Sequence, residues 1–283
     1  MARRSSGRGD NVPGSRGSGG SPGSRSSFQA GRASDRSRAG QKDRSHAGRK
    51  DRSPQPPVSE GRSGRRAPDR PGGAGTRNAA EEIRSKTRPG QSASAVQAFE
   101  QAVALLQRDR AIAAVASAIR AKELAPRSGA VREILGIALY RAERFRDALR
   151  ELQAYRRMTG RLDQNHLIAD CYRALGAPAK AIEPVRDALK ARLPDEVRAE
   201  AAIVGASALA DLGRFTEALS MLRASPSGDR LSRDFDLRVW YVTGDILERA
   251  GRRAEAAGEF RRIVRHDPGA FDAAERLAGL SRD

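Results

Sequence analysis

Apolar residues are distributed unevenly along the 283-residue chain. The first 90 residues contain few sizeable apolar side chains after the initial methionine, namely Val12, Phe28, Val58 and Ile83. From about Ser92 onward, alanine and leucine become dense, and apolar residues recur at the three- and four-residue spacing of amphipathic helices. Glycine, proline or charged turns interrupt this pattern at short intervals, and no segment alternates as a β-strand would. The pattern therefore predicts an all-α domain of short helices over residues 92–283.

Residues 1–91 are predicted to form a disordered tail. Fixing the backbone costs about 1–2 kcal/mol per residue, and four apolar side chains are too few to offset that cost over such a length. The tail is also basic, because residues 1–90 contain 21 Lys and Arg against 8 Asp and Glu, a net charge of +13 out of +18 for the chain. A basic tail therefore precedes the helical domain.

The helical domain contains an internal repeat. Five segments align so that a turn residue precedes a small residue by five positions, and the small residues are Ala114, Ala148, Ala181, Ala218 and Ala256. Their spacings of 34, 33, 37 and 38 residues indicate a helix–turn–helix unit of about 34 residues. Each unit needs a small residue where its two helices cross closely. We therefore expect Gly136 to face Ala148 and Gly244 to face Ala256, with bulky residues such as Leu152 filling the gap to the next unit.

The repeat resembles the tetratricopeptide-repeat (TPR) family. The fifth unit fits the family pattern best, with Trp240, Gly244, Leu247, Ala256, Phe260 and Pro268. This resemblance implies a TPR-like α-solenoid of about five helix–turn–helix repeats, closed by a capping helix over residues 271–280. The layout, with its Arg/Gly/Ser-rich head, is also similar to that of bacterial TPR proteins with a basic N-terminal tail.

The sequence shows no arrangement of residues that suits catalysis. His46, His166 and His266 are far apart and have no Cys or His at metal-ligand spacing. No phosphate loop or dinucleotide fingerprint is present, and the single cysteine, Cys171, lies in an apolar helix where a buried thiol is expected. We therefore predict a protein that is not an enzyme and that has no metal site and no cofactor.

The chain also shows no targeting or membrane signal. Its longest apolar run, residues 201–210, consists mostly of small residues and is shorter than the ~20 residues needed to span a bilayer. The N-terminus has no apolar stretch of the kind found in secretory signals. We therefore expect a cytoplasmic protein that does not contact membranes.

The resemblance implies a candidate binding groove as well. In TPR proteins the first helices of the units line a concave surface that binds peptides, and the matching positions here are Glu133, Tyr140, Arg141, His166, Asp170, Arg173, Tyr241, Asp245, Glu248 and Arg249. Tyr140, Arg173, Tyr241 and Arg249 are the expected anchors, because Tyr and Arg carry much of the energy at interfaces and no packing role is expected for them. The lining has mixed charge and lacks the Lys/Asn arrangement that clamps a C-terminal carboxylate. A solvated face that binds nothing is the alternative.

These features together predict an adaptor or scaffold that binds a protein segment in the groove while the tail contacts RNA, DNA or another polyanion. Arginine among glycine and serine, with almost no aromatic residues, suits phosphate contact without base stacking. A tail that only solubilises the protein is the alternative. A second possible function is that of a nucleic-acid- or ribosome-binding protein, in which the helical stack is mainly a stability or dimerisation module.

Overall fold

The computed structural model describes residues 73–226 and 234–280, so the predictions for residues 1–72 of the basic tail lie outside the described residues. All regular secondary structure in these two ranges is α-helical. The helices in chain order are α1 Gly73–Lys86, α2 Ser92–Gln107, α3 Ala111–Leu124, α4 Gly129–Arg141, α5 Phe145–Thr159, α6 Asn165–Ala174, α7 Pro178–Lys190, α8 Asp195–Asp211, α9 Phe215–Arg223, α10 Asp234–Arg249, α11 Arg253–His266 and α12 Ala273–Leu280. None of the helices in this described part is long and apolar enough to cross a bilayer.

Five helix pairs, from α2/α3 to α10/α11, form the predicted repeats. The two helices of each pair pack together, and the second helix of one pair packs on the first helix of the next. The first helices also contact one another in series, α2 with α4, α4 with α6, α6 with α8 and α8 with α10. We call α2, α4, α6, α8 and α10 the inner helices, and α3, α5, α7, α9 and α11 the outer helices. The predicted α-solenoid is confirmed, and α12 packs against α11 as its cap.

The turn inside each pair is set by one residue with a left-handed backbone. These residues are Asp109, Glu143, Gly176, Gly213 and Gly251, with φ between 54° and 75°. Each ends its inner helix, as a left-handed residue commonly does, and each lies at the turn position identified from the repeat. Because glycine adopts this conformation most readily, its presence in three of the five turns is understandable.

The small residues of the repeat lie at the helix crossings, as predicted. Ala114, Ala148, Ala181, Ala218 and Ala256 are all fully buried, with an exposed fraction of 0%. The neighbours of the glycines differ from expectation, however. A Cβ on Gly136 would lie 2.6 Å from Leu152 Cδ2, and one on Gly244 would lie 2.9 Å from the Phe260 ring. The bulky residues therefore lie over the glycine of their own pair, where the small residue of the outer helix was expected.

Helix α1 lies before the predicted start of the helical domain, so the boundary at residue 92 needs correction. This helix packs against α2 and α4, and Ile83 on it is fully buried. The Glu82 carboxylate accepts hydrogen bonds from Gly129 N at 2.8 Å and from Ala130 N at 3.1 Å, at the N-terminus of α4. The few apolar residues of this segment are sufficient for order because they dock onto a surface that the repeats already provide.

Candidate functional site on the inner helices

The ten residues predicted to line the groove all lie on three inner helices. Glu133, Tyr140 and Arg141 belong to α4, the next three to α6, and the last four to α10. The inner helices contact one another in series, so the structure brings these residues onto one layer. Whether a partner uses this layer remains a prediction, but the contacts of each side chain now define what the layer presents.

A chain of hydrogen bonds links polar and charged side chains of the four inner helices α4, α6, α8 and α10. The Tyr140 hydroxyl donates to Asp170 Oδ2 at 2.6 Å, and Arg173 Nη1 donates to Asp170 Oδ1 at 2.7 Å. Arg173 Nε also donates to Asp211 Oδ2 at 2.9 Å, and Arg249 Nη2 donates to Asp211 Oδ1 at 3.2 Å. Asp211 on α8 is therefore shared by arginines from the repeats on either side of it.

The chain of charges continues onto the capping helix through Arg276. Its Nη2 donates to Asp245 Oδ1 at 3.1 Å and to Glu248 Oε2 at 2.6 Å. Burial would lower the pKa of Arg276, but the hydrogen bonds to Glu248 and Tyr241 and the nearby carboxylates raise it overall. The guanidinium thus stays charged. We call this whole set the polar ladder, and its members are Tyr140, Asp170, Arg173, Asp211, Arg249, Asp245, Arg276 and Glu248.

Two members of the polar ladder were absent from the sequence prediction. Asp211 lies seven residues before the small residue Ala218, as Arg249 lies seven residues before Ala256. The repeat register therefore contained the signal for Asp211, although unit four had been analysed only for its core positions. Arg276 lies on α12, outside the repeats, so no register could have identified it.

Tyr241 departs from its predicted role. Its side chain is 5% exposed, its ring lies 5.9 Å from that of Phe260 and 4.7 Å from that of Phe271, and its hydroxyl donates to Asp272 Oδ1 at 2.8 Å. The expectation that Tyr241 has no packing role is wrong, because this tyrosine joins the last repeat to the residues before the capping helix.

Besides Tyr241, three predicted residues lie outside the polar ladder. Glu133 Oε1 accepts a hydrogen bond from Gln164 Nε2 at 2.8 Å, and Arg141 Nη1 donates to the Leu106 carbonyl at 3.1 Å. His166 is buried on α6. The structure thus connects most of the predicted lining residues with one another and places these three in separate contacts.

The inner helices present charges and hydrogen-bonding groups but no activated nucleophile. Cys171 is fully buried, so the predicted buried thiol is confirmed, and burial raises the pKa of this thiol to about 12. Within residues 73–226 and 234–280, no group of three or more His, Cys, Asp and Glu side chains is placed to hold a metal ion. The side chains that this layer presents are charged and hydrogen-bonding groups.

Comparison with known proteins agrees with the repeat architecture. Sequence profiles described as "Tetratrico peptide repeat" and "Tetratricopeptide repeat" match residues 167–266 and 135–197. The fold is similar to that of TTC0263, a TPR protein of Thermus thermophilus, with 18% identity over 66% of this chain and 98% of that chain and a TM-score of 0.53. It is also similar to that of pilF of Pseudomonas aeruginosa, with 13% identity over 71% of this chain and 90% of that chain and a TM-score of 0.52. No curated protein matches the sequence.

The stacked helix pairs and their charged inner layer define a helical-repeat scaffold of the kind that mediates protein interactions. Proteins with this fold are generally non-catalytic. The chain contains tetratricopeptide repeats, which the two profiles together match over residues 135–266.

Proposed function

We propose that this protein is a non-enzymatic, cytoplasmic adaptor that binds a segment of another protein along its inner helices. The proposal rests on the polar ladder, which places positive and negative side chains on the three consecutive inner helices α6, α8 and α10 and on the cap, and which reaches α4 through Tyr140. Such a surface matches a segment that itself carries both charges, because like charges are repelled at each position and opposite charges are attracted.

The arginines of the polar ladder retain hydrogen-bonding capacity for a ligand. A guanidinium carries five N–H donors, and Arg173 uses only two of its nitrogens for Asp170 and Asp211. The remaining donors suit backbone carbonyls or carboxylates of a bound segment. Because the binding segment must be ordered, micromolar-class affinity is expected for one short segment. The partner is therefore a mixed-charge or amphipathic segment rather than a uniformly acidic tail.

The basic tail completes the proposal as a contact for RNA, DNA or another polyanion. Its support is the sequence alone, since 21 Lys and Arg within residues 1–90 provide many possible phosphate contacts. The second candidate function, a nucleic-acid- or ribosome-binding protein with a mainly structural helical stack, predicts that disrupting the polar ladder leaves the set of protein partners unchanged.

Site-specific photo-crosslinking of the full chain in cells tests the use of the inner helices. A photoreactive residue at position 133 lies on the inner helix α4, and one at position 150 lies on the outer helix α5. Protein partners identified by mass spectrometry should crosslink from position 133 and not from position 150.

A charge-matched pair of variants then tests the polar ladder. Arg173→Gln combined with Arg249→Gln removes both arginines that bind Asp211 and should abolish the crosslinks from position 133. Arg144→Gln combined with Arg214→Gln removes the same charge from exposed pairs on the outer side and should retain them. If the ladder variant is folded by circular dichroism and still yields the parent's crosslinks, the inner helices are not the binding site.

A further inference from the structure

The inner and outer helices carry opposite net charge. The five outer helices contain 14 Lys and Arg against 8 Asp and Glu, a net charge of +6. The five inner helices contain 6 Lys and Arg against 11 Asp and Glu, a net charge of −5. The small net charge of the helical domain is therefore the sum of a positive set of outer helices and a negative set of inner helices. A strongly charged face is a physical basis for attracting a partner of opposite charge.

The outer charge is carried mainly by exposed side chains, two of which, Arg186 and Arg223, lie near the carboxylates of Glu217 and Glu255. Within the described part of the chain, the exposed outer-helix cations without an ion pair are Arg146, Arg157, Lys180, Arg186, Lys190, Arg223, Arg261 and Arg265. On the same helices and within the same described part, Glu183 is the only exposed carboxylate without an ion pair. Glu217 and Glu255 also lie there, but Arg214 and Arg252 each donate two hydrogen bonds to them.

Six of these cations recur at the same places in the repeat. Arg186, Arg223 and Arg261 each lie five residues after the small residue of their unit, and Arg157, Lys190 and Arg265 each lie nine residues after it. Positions four residues apart share one face of a helix. Equivalent positions of stacked repeats follow one another along the solenoid. We therefore infer two rows, which we call the cationic rows: Arg186, Arg223 and Arg261 on α7, α9 and α11, and Arg157, Lys190 and Arg265 on α5, α7 and α11.

Open clefts between outer helices add to the accessibility of the cationic rows. Arg186 and Lys190 of α7, together with Arg214, line a cleft of about 460 Å³ that also includes Glu183 and Asp187. All six side chains of the rows are arginine or lysine. They therefore suit contact with phosphate groups and lack the flat rings on which bases stack.

We propose that the cationic rows bind the sugar–phosphate backbone of a nucleic acid. This site lies on the outer helices and is independent of both the polar ladder and the basic tail. A phosphodiester chain carries one negative charge per nucleotide, so it offers a series of anions to a series of cations. Binding should show little sequence preference and a strong dependence on salt, because each neutralised phosphate releases condensed counterions.

The test measures the salt dependence of binding by the full chain, so that the tail is present in every sample. The row variant combines Arg186→Gln, Arg223→Gln and Arg261→Gln. The control combines Arg108→Gln, Arg110→Gln and Arg127→Gln, three exposed arginines at turns of the first repeat, outside the rows. Fluorescence anisotropy with a labelled DNA duplex of about 20 base pairs, and with a labelled single-stranded RNA of similar length, gives the slope of log Kd against log salt.

The row variant should reduce the slope for the duplex by about 2.7, at ~0.9 for each of three cations. When the salt concentration rises fourfold, the factor by which affinity falls should therefore be about 40 times smaller for the row variant than for the parent. The control should keep the parent slope, because its arginines lie outside the rows. The charge-retaining variant Arg186→Lys, Arg223→Lys and Arg261→Lys should restore the parent slope, which separates the effect of charge from any effect on folding.

Three results would overturn the proposal. The first is a row variant with the same slope as the parent for both nucleic acids. The second is equal loss of slope in the row variant and the control, which would indicate a response to net charge alone. The third is a row variant that binds nucleic acid as the parent does but no longer binds phosphatidylglycerol–phosphatidylcholine vesicles, because the rows would then recognise a lipid phosphate.

Discussion

A single added methyl group at Gly136 should reveal how closely the helices of the second repeat approach. A Cβ there would lie 2.6 Å from Leu152 Cδ2, 2.7 Å from its Cγ and 3.3 Å from its backbone nitrogen. Because Leu152 is fully buried, it has no free space into which to move. Overpacking of this kind typically lowers the free energy of unfolding by ~1–3 kcal/mol, whereas the higher helix propensity of alanine over glycine raises it by ~1 kcal/mol. We therefore expect Gly136→Ala to lower the free energy of unfolding by up to ~2 kcal/mol.

Gly258→Ala is the matched control for this prediction. Gly258 lies inside α11, and apart from its chain neighbours and the backbone of its own helix no atom lies within 4 Å of the position that its Cβ would occupy. The same substitution should therefore stabilise the protein there by ~1 kcal/mol. The two variants should differ by ~1–3 kcal/mol, which corresponds to several degrees in Tm for a domain of this size, measured by circular dichroism on the full chain. Equal Tm values for the two variants would refute the close crossing at Gly136.

Three further predictions concern contacts that the structure shows. Glu82→Ala removes the carboxylate that caps α4. It should lower the free energy of unfolding by ~1–3 kcal/mol and speed amide hydrogen exchange in α1. Unchanged exchange would contradict the docking of α1. Tyr241→Ala should cost ~3–5 kcal/mol because the ring is buried, whereas Tyr241→Phe should cost only ~1 kcal/mol in chemical denaturation. Burial alone would raise the pKa of Glu151, but hydrogen bonds from Lys122 and Arg132 lower it overall. Its contribution to stability is therefore present above the unfolded-state pKa of 4.5 and is lost as the pH falls through the lower folded-state pKa. As the pH falls below 4.5, the Tm of Glu151→Gln should accordingly decrease less than the Tm of the parent. Parallel curves of Tm against pH for the two proteins would contradict the ion pairs.

The features that were predicted correctly are those encoded within one repeat. Glycines such as Gly213 and Gly251 provide the left-handed turn, and the alanine five residues later provides the close crossing. Both signals are local, and each recurs in five units, so errors in one unit are corrected by the others. Sequence alone was therefore sufficient for the all-α class, the repeat register and the position of the cap.

The features that were missed depend on contacts between distant segments. Ile83 is an isolated apolar residue in the sequence, and only its docking against the repeats explains why α1 is ordered. Arg276 joins the polar ladder from the capping helix, which has no counterpart in the repeat. Tyr241 occupies a position where a groove residue is expected, but Phe271 packs on its ring because the chain folds back after the last repeat. A periodic pattern describes the interior of a solenoid, whereas the ends depend on sequence that occurs once.

Under the proposed function, the polar ladder also limits how a partner can bind. Each charge in it already has a partner within the chain, so a bound segment gains only the difference between the new contacts and those that it displaces. Arg173 and Asp211 are partly buried, and leaving either one unpaired would be costly. A ligand that carries a single charge sign would break more pairs than it forms. A segment with alternating charges, in contrast, can add contacts along the ladder while each internal pair stays intact, and for this reason the charge pattern of the partner should determine selectivity more than its net charge does.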